Sequence, residues 1–420
     1  MPTQEPAVAR EGALTLVHQF SPQDRVARSP QATRGALVTG GGAWVIDLVE
    51  ARVVTWIPVP QRIRYMELVD EESLWALCGD DMLRAWALPD GGCVAEVPVP
   101  GASSIADVTR RVMVLWGDAS LRLSEDRACV ERDAGDALLY AVDLRLGAVT
   151  AAIDGARFAR ALSAFSAERE RLSREASAVS PWGALSPDGD TFALAYEARA
   201  REVAPWSVGD VGDGSWSHAY TFRLDAPEAT LERWAAPLEG WTLAWRASDT
   251  LTGCMHVATG PPPYRTMPFV RRRIRRDGHV VTWRMPDTDL LLAPGASAMA
   301  TDLDDDRFIA WITAPRAAHA ITWDPATGAT DTRDLLADVP RATLLPDAPV
   351  LAGVWSDGVV ARALPRLDGR VRITVAGATV AETPARLGPP SVLRAAPSCL
   401  ELQWTPRRGA WCAAFARRAR

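Results

Sequence analysis

LSPDGDTFALAY (185–196), DLDDDRFIAWI (302–312), ELVDEESLWAL (67–77), RAAPSCLELQW (394–404) and LLPDAPVLAGVW (344–355) follow one plan: a short run, a polar turn, then a run of alternating apolar residues. Weaker copies are DVTRRVMVLW (107–116), WRASDTLTGCMHV (245–257) and QATRGALVT (31–39), which brings the count of candidate hairpins to eight. A second shared element follows most of them. It is clearest in HAYTFRL (218–224), HVVTWRMPD (279–287) and HAITWDP (319–325), and recurs in RAWALPDG (84–91), WVIDL (44–48) and YAVDL (140–144).

These later runs have the length of ordinary strands, end in Asp, Pro or Gly, and are usually followed by another apolar run such as CVAEVPVP (93–100). The unit therefore predicts four strands, a to d, at a period of about 40 residues. A four-stranded antiparallel meander repeated radially is the β-propeller answer to exposed sheet edges. The expected fold is all-β, a single β-propeller over residues 1–420 with seven or eight four-stranded blades and one helical insertion. ALTLV (13–17) is expected to close it by pairing with the C-terminal strands around Trp411.

SPDGD (186–190) resembles the a–b turn, and ITWDP (321–325) the end of strand c, of WD-type and related bacterial propellers. The resemblance extends over almost the whole chain, although the Gly-His pair that precedes strand a in that family is absent. It speaks to fold, because such propellers serve many functions.

Composition narrows the function. No stretch approaches the roughly 18 uninterrupted apolar residues of a membrane helix, and MPTQEPAVAR at the start has no apolar h-region, so a cytoplasmic protein is expected. The six Cys form no CxxC pair, which favours buried free thiols over disulfides or zinc. A net charge of -6 argues against general nucleic-acid binding. All 46 basic residues are Arg, and Asn is absent as well, which points to a GC-rich bacterial gene. Without Lys there is no Schiff-base chemistry and no P-loop; without Asn there is no N-glycosylation.

Four connections exceed the regular unit: 117–136, 155–180, 197–217 and 258–278. In an up-and-down meander the a–b and c–d turns share one end of the sheet, and the b–c and d–a connections share the other. Three of the four are b–c and the helical one is d–a, so all are expected on one face over blades three to five, the kind of clustering that marks a binding side. Segment 155–180 places Phe158, Leu162, Phe165 and Leu172 on one side of an amphipathic helix, which either packs on its own propeller or meets a partner.

The candidate partner-binding residues lie in these connections. Trp206 and Trp216 sit among Gly and Asp in 201–217, and Tyr264 and Phe269 follow in 261–269. Loop aromatics suit interface anchors, or else cover the apolar tops of blades. Arg271, Arg272, Arg273, Arg275 and Arg276 fill VRRRIRRDG (270–278) just before strand c, where guanidinium forks could dock an acidic protein surface or a nucleic-acid backbone. His218, His279 and His319 recur in three copies of strand c, but strand c stands two strand spacings of about 4.8 Å outward, too far apart for shared coordination. Asp302, Asp304, Asp305 and Asp306 align with SPDGD and are expected to form an a–b turn.

No nucleophile, zinc or dinucleotide motif occurs. The expectation is a non-catalytic propeller with no cofactor, metal or membrane, acting as the protein-interaction subunit of a bacterial multiprotein assembly. Two alternatives stand: a propeller lyase or hydrolase with a central-channel site, and a nucleic-acid binder working through Arg271–Arg276.

Overall fold

The computed structural model describes residues 5–19, 26–39, 41–117, 121–123, 128–130, 137–163, 181–196, 218–237, 242–256, 269–284, 296–302, 308–324, 327, 329–355, 357–396, 399–404 and 410–416. The fold is an all-β propeller. Seven four-stranded antiparallel sheets follow one another along the chain: blade 1 (26–58), blade 2 (63–98), blade 3 (104–154), blade 4 (181–237), blade 5 (242–284), blade 6 (297–334) and blade 7 (351–383). Blade 3 carries a hairpin, Leu121–Leu123 with Ala128–Val130, between its second and third strands.

A further sheet has five strands. Val392–Ala396, Cys399–Trp404 and Ala410–Ala416 come from the C-terminal end, then Leu14–Gln19 and Val8–Glu11 from the N-terminal end. Residue 18 pairs with residue 411, which is the closure the sequence predicts.

Side-chain oxygens close the turns. At c–d turns Asp47 Oδ1 accepts from the amides of Val49 and Glu50 at 2.9 and 2.8 Å, and Asp143 Oδ1 from those of Arg145 and Leu146 at 2.9 and 3.0 Å. At a–b turns Ser29 Oγ accepts from Arg34 N–H at 3.0 Å, Thr109 Oγ1 from Val112 N–H at 3.0 Å, and Ser186 Oγ from Thr191 N–H at 2.9 Å. The Asp of WVIDL and YAVDL, the last residue of its strand, is therefore a turn cap, which is why it recurs.

Burial is greatest in the middle strands, b and c, and falls to the outermost. Strand b of blade 6, Phe308–Ala314, and strand c of blade 3, Ala137–Asp143, are buried at every residue, so both of their faces are covered. Strand d of blade 3, Ala148–Asp154, alternates, and Thr330–Asp334 is exposed almost throughout.

Indoles tie neighbouring blades together. Trp311 Nε1 donates to Ala352 O at 2.8 Å and Trp355 Nε1 to Ala396 O at 2.6 Å, while Trp245 Nε1 donates to Ala184 O at 3.0 Å. Each spends its polar atom on the inner strand of an adjacent blade, with Trp311 and Trp355 buried in the junction and Trp245 partly so.

One predicted hairpin is misplaced. Residues 344–355 are not an a–b pair: strand a of blade 7 is Leu351–Val354, and its partner Val360–Pro365 follows a turn at 355–359. The Pro-Asp of LLPDAP belongs to the d–a connection, whose turn chemistry imitates that of an a–b turn.

The chain divides into two compact units. One comprises 1–76, 85–94 and 286–420, and the other 77–84 with 95–285. The first contains blades 1, 6, 7 and the five-stranded sheet, with a core that includes Leu14, Leu16, Trp355, Ile373, Leu400 and Trp404. The second contains blades 3, 4 and 5, with a core that includes Val114, Leu139, Phe158, Phe192, Leu194 and Phe222. The strands of blade 2 are shared between the two.

Candidate functional site

All four long connections belong to the second unit. Strand b of blade 3 (Val112–Trp116) and strand c (Ala137–Asp143) bound the connection 117–136, and the corresponding strands of blade 4, Thr191–Tyr196 and His218–Arg223, bound 197–217. In blade 5 strand b ends at His256 and strand c begins at Phe269, so this connection is 257–268. The d–a link between blades 3 and 4 is 155–180. Antiparallel pairing sends the three b–c connections and the d–a link to the same end of their sheets, and strand a of blade 4 packs against strand a of both blade 3 and blade 5.

The helical insertion is Gly155–Ser163 within the described residues. Asp154 Oδ1 accepts from Arg157 N–H at 2.7 Å in its first turn. Phe158 is fully buried, meets Phe222 of blade 4 edge-on at 5.0 Å, and belongs to the blade core, so this part of the helix packs on its own propeller. Phe165 and Leu172 lie outside the described residues, as do Trp206, Trp216, Tyr264 and Asp304 to Asp306.

The arginine run requires a correction. Residues 269–275 are strand c of blade 5 itself, paired with Thr250–His256 on one side and Val280–Arg284 on the other, and not a loop preceding that strand. Phe269 stands opposite His256 at the connection end, and Arg275 opposite Thr250 at the turn end. The run therefore crosses the blade. Arg273 in its middle is buried, as is Ile274 beside it on the other face. Arg275 and Arg276 stand at the turn end among acids: Arg275 lies 3.2 Å from Asp277 and 3.8 Å from Asp249, and Arg276 lies 3.4 Å from Glu232 with its guanidinium 5.7 Å from the centre of the Trp234 ring. Arg271 and Arg272 occupy the strand nearer its connection end.

The same shift in register corrects the histidines. His218 opens strand c of blade 4 and His319 lies within strand c of blade 6, Ala317–Trp323, but His279 is in the c–d turn of blade 5. The three positions do not match. No group of three or more His, Cys, Asp or Glu side chains placed to hold a metal ion occurs among the described residues.

Sequence reasoning passed over Asp107. It lies on the innermost strand of blade 3, Ser104–Val108, beside a register irregularity, and its Oδ2 accepts from Leu185 N–H of blade 4 at 2.7 Å. Oδ1 accepts from Val108 N–H at 2.8 Å. Burial pushes this carboxyl above its ordinary range, against the pull of the two amides. Asp188, in the a–b turn of blade 4, shifts the opposite way, held low by the Ser186 hydroxyl and the Asp190 amide. An acid within an inner-strand run was the available signal for Asp107.

No family model matches the sequence, and no curated protein matches it. Among solved structures the chain is similar to the Dos1 propeller, at 10% identity and a TM-score of 0.46 over 96% of this chain and 94% of that one. It is similar to the computationally designed Ika8 protein, at 10% identity and a TM-score of 0.45 over 95% and 100%. It is also similar to the tricorn protease, at 12% identity and a TM-score of 0.42 over 89% of this chain and 38% of that one. At these identities no activity passes from them to this chain.

Proposed function

We propose that this propeller is a non-catalytic interaction module, which docks a protein partner at the connection end of blades 3, 4 and 5 as a subunit of a cytoplasmic bacterial assembly. One observation carries the reading: connections 117–136, 155–180, 197–217 and 257–268 leave the same end of three successive sheets. A meander closes with links of a few residues, so collecting four longer ones at one end of blades 3, 4 and 5 concentrates adaptable surface there. Trp206, Trp216 and Tyr264 belong to that end by sequence position, with Phe269, Arg271 and Arg272 at its strand margin. Arg273, Arg275 and Arg276 leave the proposed surface, the first by burial and the others by lying at the opposite end. No helix among the described residues is long and apolar enough to cross a membrane.

The test is recovery of partners from the native host with the tagged full chain. The triple change Trp206→Ala, Trp216→Ala and Tyr264→Ala should abolish recovery, and Arg275→Ala with Arg276→Ala should leave it intact. The opposite pattern overturns the reading. Recovery that nuclease treatment abolishes would instead assign the surface to nucleic acid.

A further inference from the structure

The d–a connection after blade 6 folds back over blade 7 and leaves a cleft of about 390 Å³, whose walls include Arg333, Asp334, Asp338, Val360 and Arg362. A hollow of about 140 Å³ continues from it, sharing Asp338, Arg362 and Gly377 and adding Arg366, Arg372 and Thr374. Different elements supply the arginines: Arg333 comes from strand d of blade 6, Arg362 and Arg372 from strands b and c of blade 7, and Arg366 from the turn between those two.

The floor is already neutralised. Arg362 is 5% exposed and has its fork on the Asp338 carboxylate, with Nε donating to Thr374 Oγ1 at 3.0 Å and Nη1 to Leu335 O at 2.7 Å. Arg372 is paired with Glu382 at 2.7 Å, and Asp334 with Arg341 at 2.5 Å. Arg333 and Arg366 make no ion pair and no side-chain hydrogen bond among the described residues. Four arginines against two aspartates leave the walls with an excess of two positive charges.

Guanidinium is a rigid fork of donors that matches phosphate and carboxylate, and every cation in this chain is of that kind. A phosphate monoester carries close to two negative charges and three acceptor oxygens, enough to engage two separate forks. A single carboxylate carries one charge and two oxygens. The cleft is of the size that holds small ligands, and its rim at Gly377 is open, with no atom near the position a side chain would take.

We propose that this cleft and the hollow adjoining it bind the phosphate of a small phosphorylated molecule, with Arg333 on the wall of the cleft and Arg366 on the wall of the hollow supplying guanidinium forks beside the Arg362–Asp338 floor. Titration calorimetry on the full chain at constant ionic strength tests it, with inorganic phosphate, phenyl phosphate and succinate as probes. Both phosphates should bind saturably at one site, and succinate at least tenfold more weakly. Arg333→Gln with Arg366→Gln should weaken phosphate at least tenfold without changing the unliganded Tm, and Arg370→Gln, outside the cleft, should bind like the parent. No saturation, equal binding of succinate, or undiminished binding by the cleft variant overturns the proposal. Should the double variant melt early, Arg366→Lys decides: it keeps the charge and loses the fork, so unchanged phosphate affinity overturns the proposal as well.

Discussion

The two ends of blades 3, 4 and 5 are made by the same strands and obey opposite rules. At the turn end the links are short, and Thr109, Asp143 and Ser186 spend side-chain oxygens on the amides that the turns leave unpaired. At the connection end lie 117–136, 155–180, 197–217 and 257–268, and register does not depend on their length. Closure entropy grows only slowly with loop length, so one end can diversify while the other is pinned by geometry. The comparison teaches that residue type is dictated at the turn end and left open at the other.

Phe158→Ala is the severest test of that division, since it asks whether a connection-end element has become part of the core. Removing a fully buried Phe that meets Phe222 at 5.0 Å should cost about 3–5 kcal/mol in urea unfolding. A loss below about 1 kcal/mol, the level of an ordinary surface change, would make the helix an ornament.

Gly183→Ala probes the strands between the two ends. A methyl there would come within 2.2 Å of the Phe192 ring and 3.0 Å of Trp116, so overpacking should cost about 1–3 kcal/mol. An unchanged urea midpoint would mean that the junction of blades 3 and 4 yields easily.

At the turn end, Asp143→Ala removes the acceptor for two amides and should cost about 1 kcal/mol, comparable to the loss of a helix cap. A neutral result would break the claim that side-chain oxygens hold this end.

The smallest effect is one of sign. Burial raises the folded pKa of Asp107 above its unfolded value, so its contribution to stability grows as pH falls through the folded pKa and is lost as pH rises. Asp107→Asn retains an acceptor for Leu185 N–H and removes the titration. Its stability relative to the parent should therefore be greatest near neutral pH and diminish on acidification; a difference that widens would mean that the amides outweigh burial. Asp188, held low by Ser186, contributes in the opposite sense, losing stability as pH falls.

Much of this was legible in the sequence because strands and turns are local. Alternation and the recurring Asp gave the blades, and the match of 13–17 to the C-terminal strands gave the closure. The reading slipped at blade 5, where Arg273 is buried in the middle of a strand. A pattern that treats arginine as solvent-facing takes RRRIR for a loop, and promotes the next apolar run, HVVTW, to strand c. Arg362 was invisible for a different reason: Leu335, Asp338 and Thr374 meet it only once two blades are in place. The residues proposed to anchor a partner, Trp206, Trp216 and Tyr264, are legible as chemistry alone, since they fall outside the repeated strand pattern of the sequence.

The five-stranded sheet also sets the order of events during synthesis. Leu14–Gln19 is made well before its partner Ala410–Ala416, with all seven four-stranded blades translated in between. At about 5–20 residues per second this leaves the early strand with an open edge for tens of seconds. An open edge is a template for another chain. The nascent protein therefore passes through a long interval in which this strand edge can template aggregation, and synthesis of Ala410–Ala416 ends it.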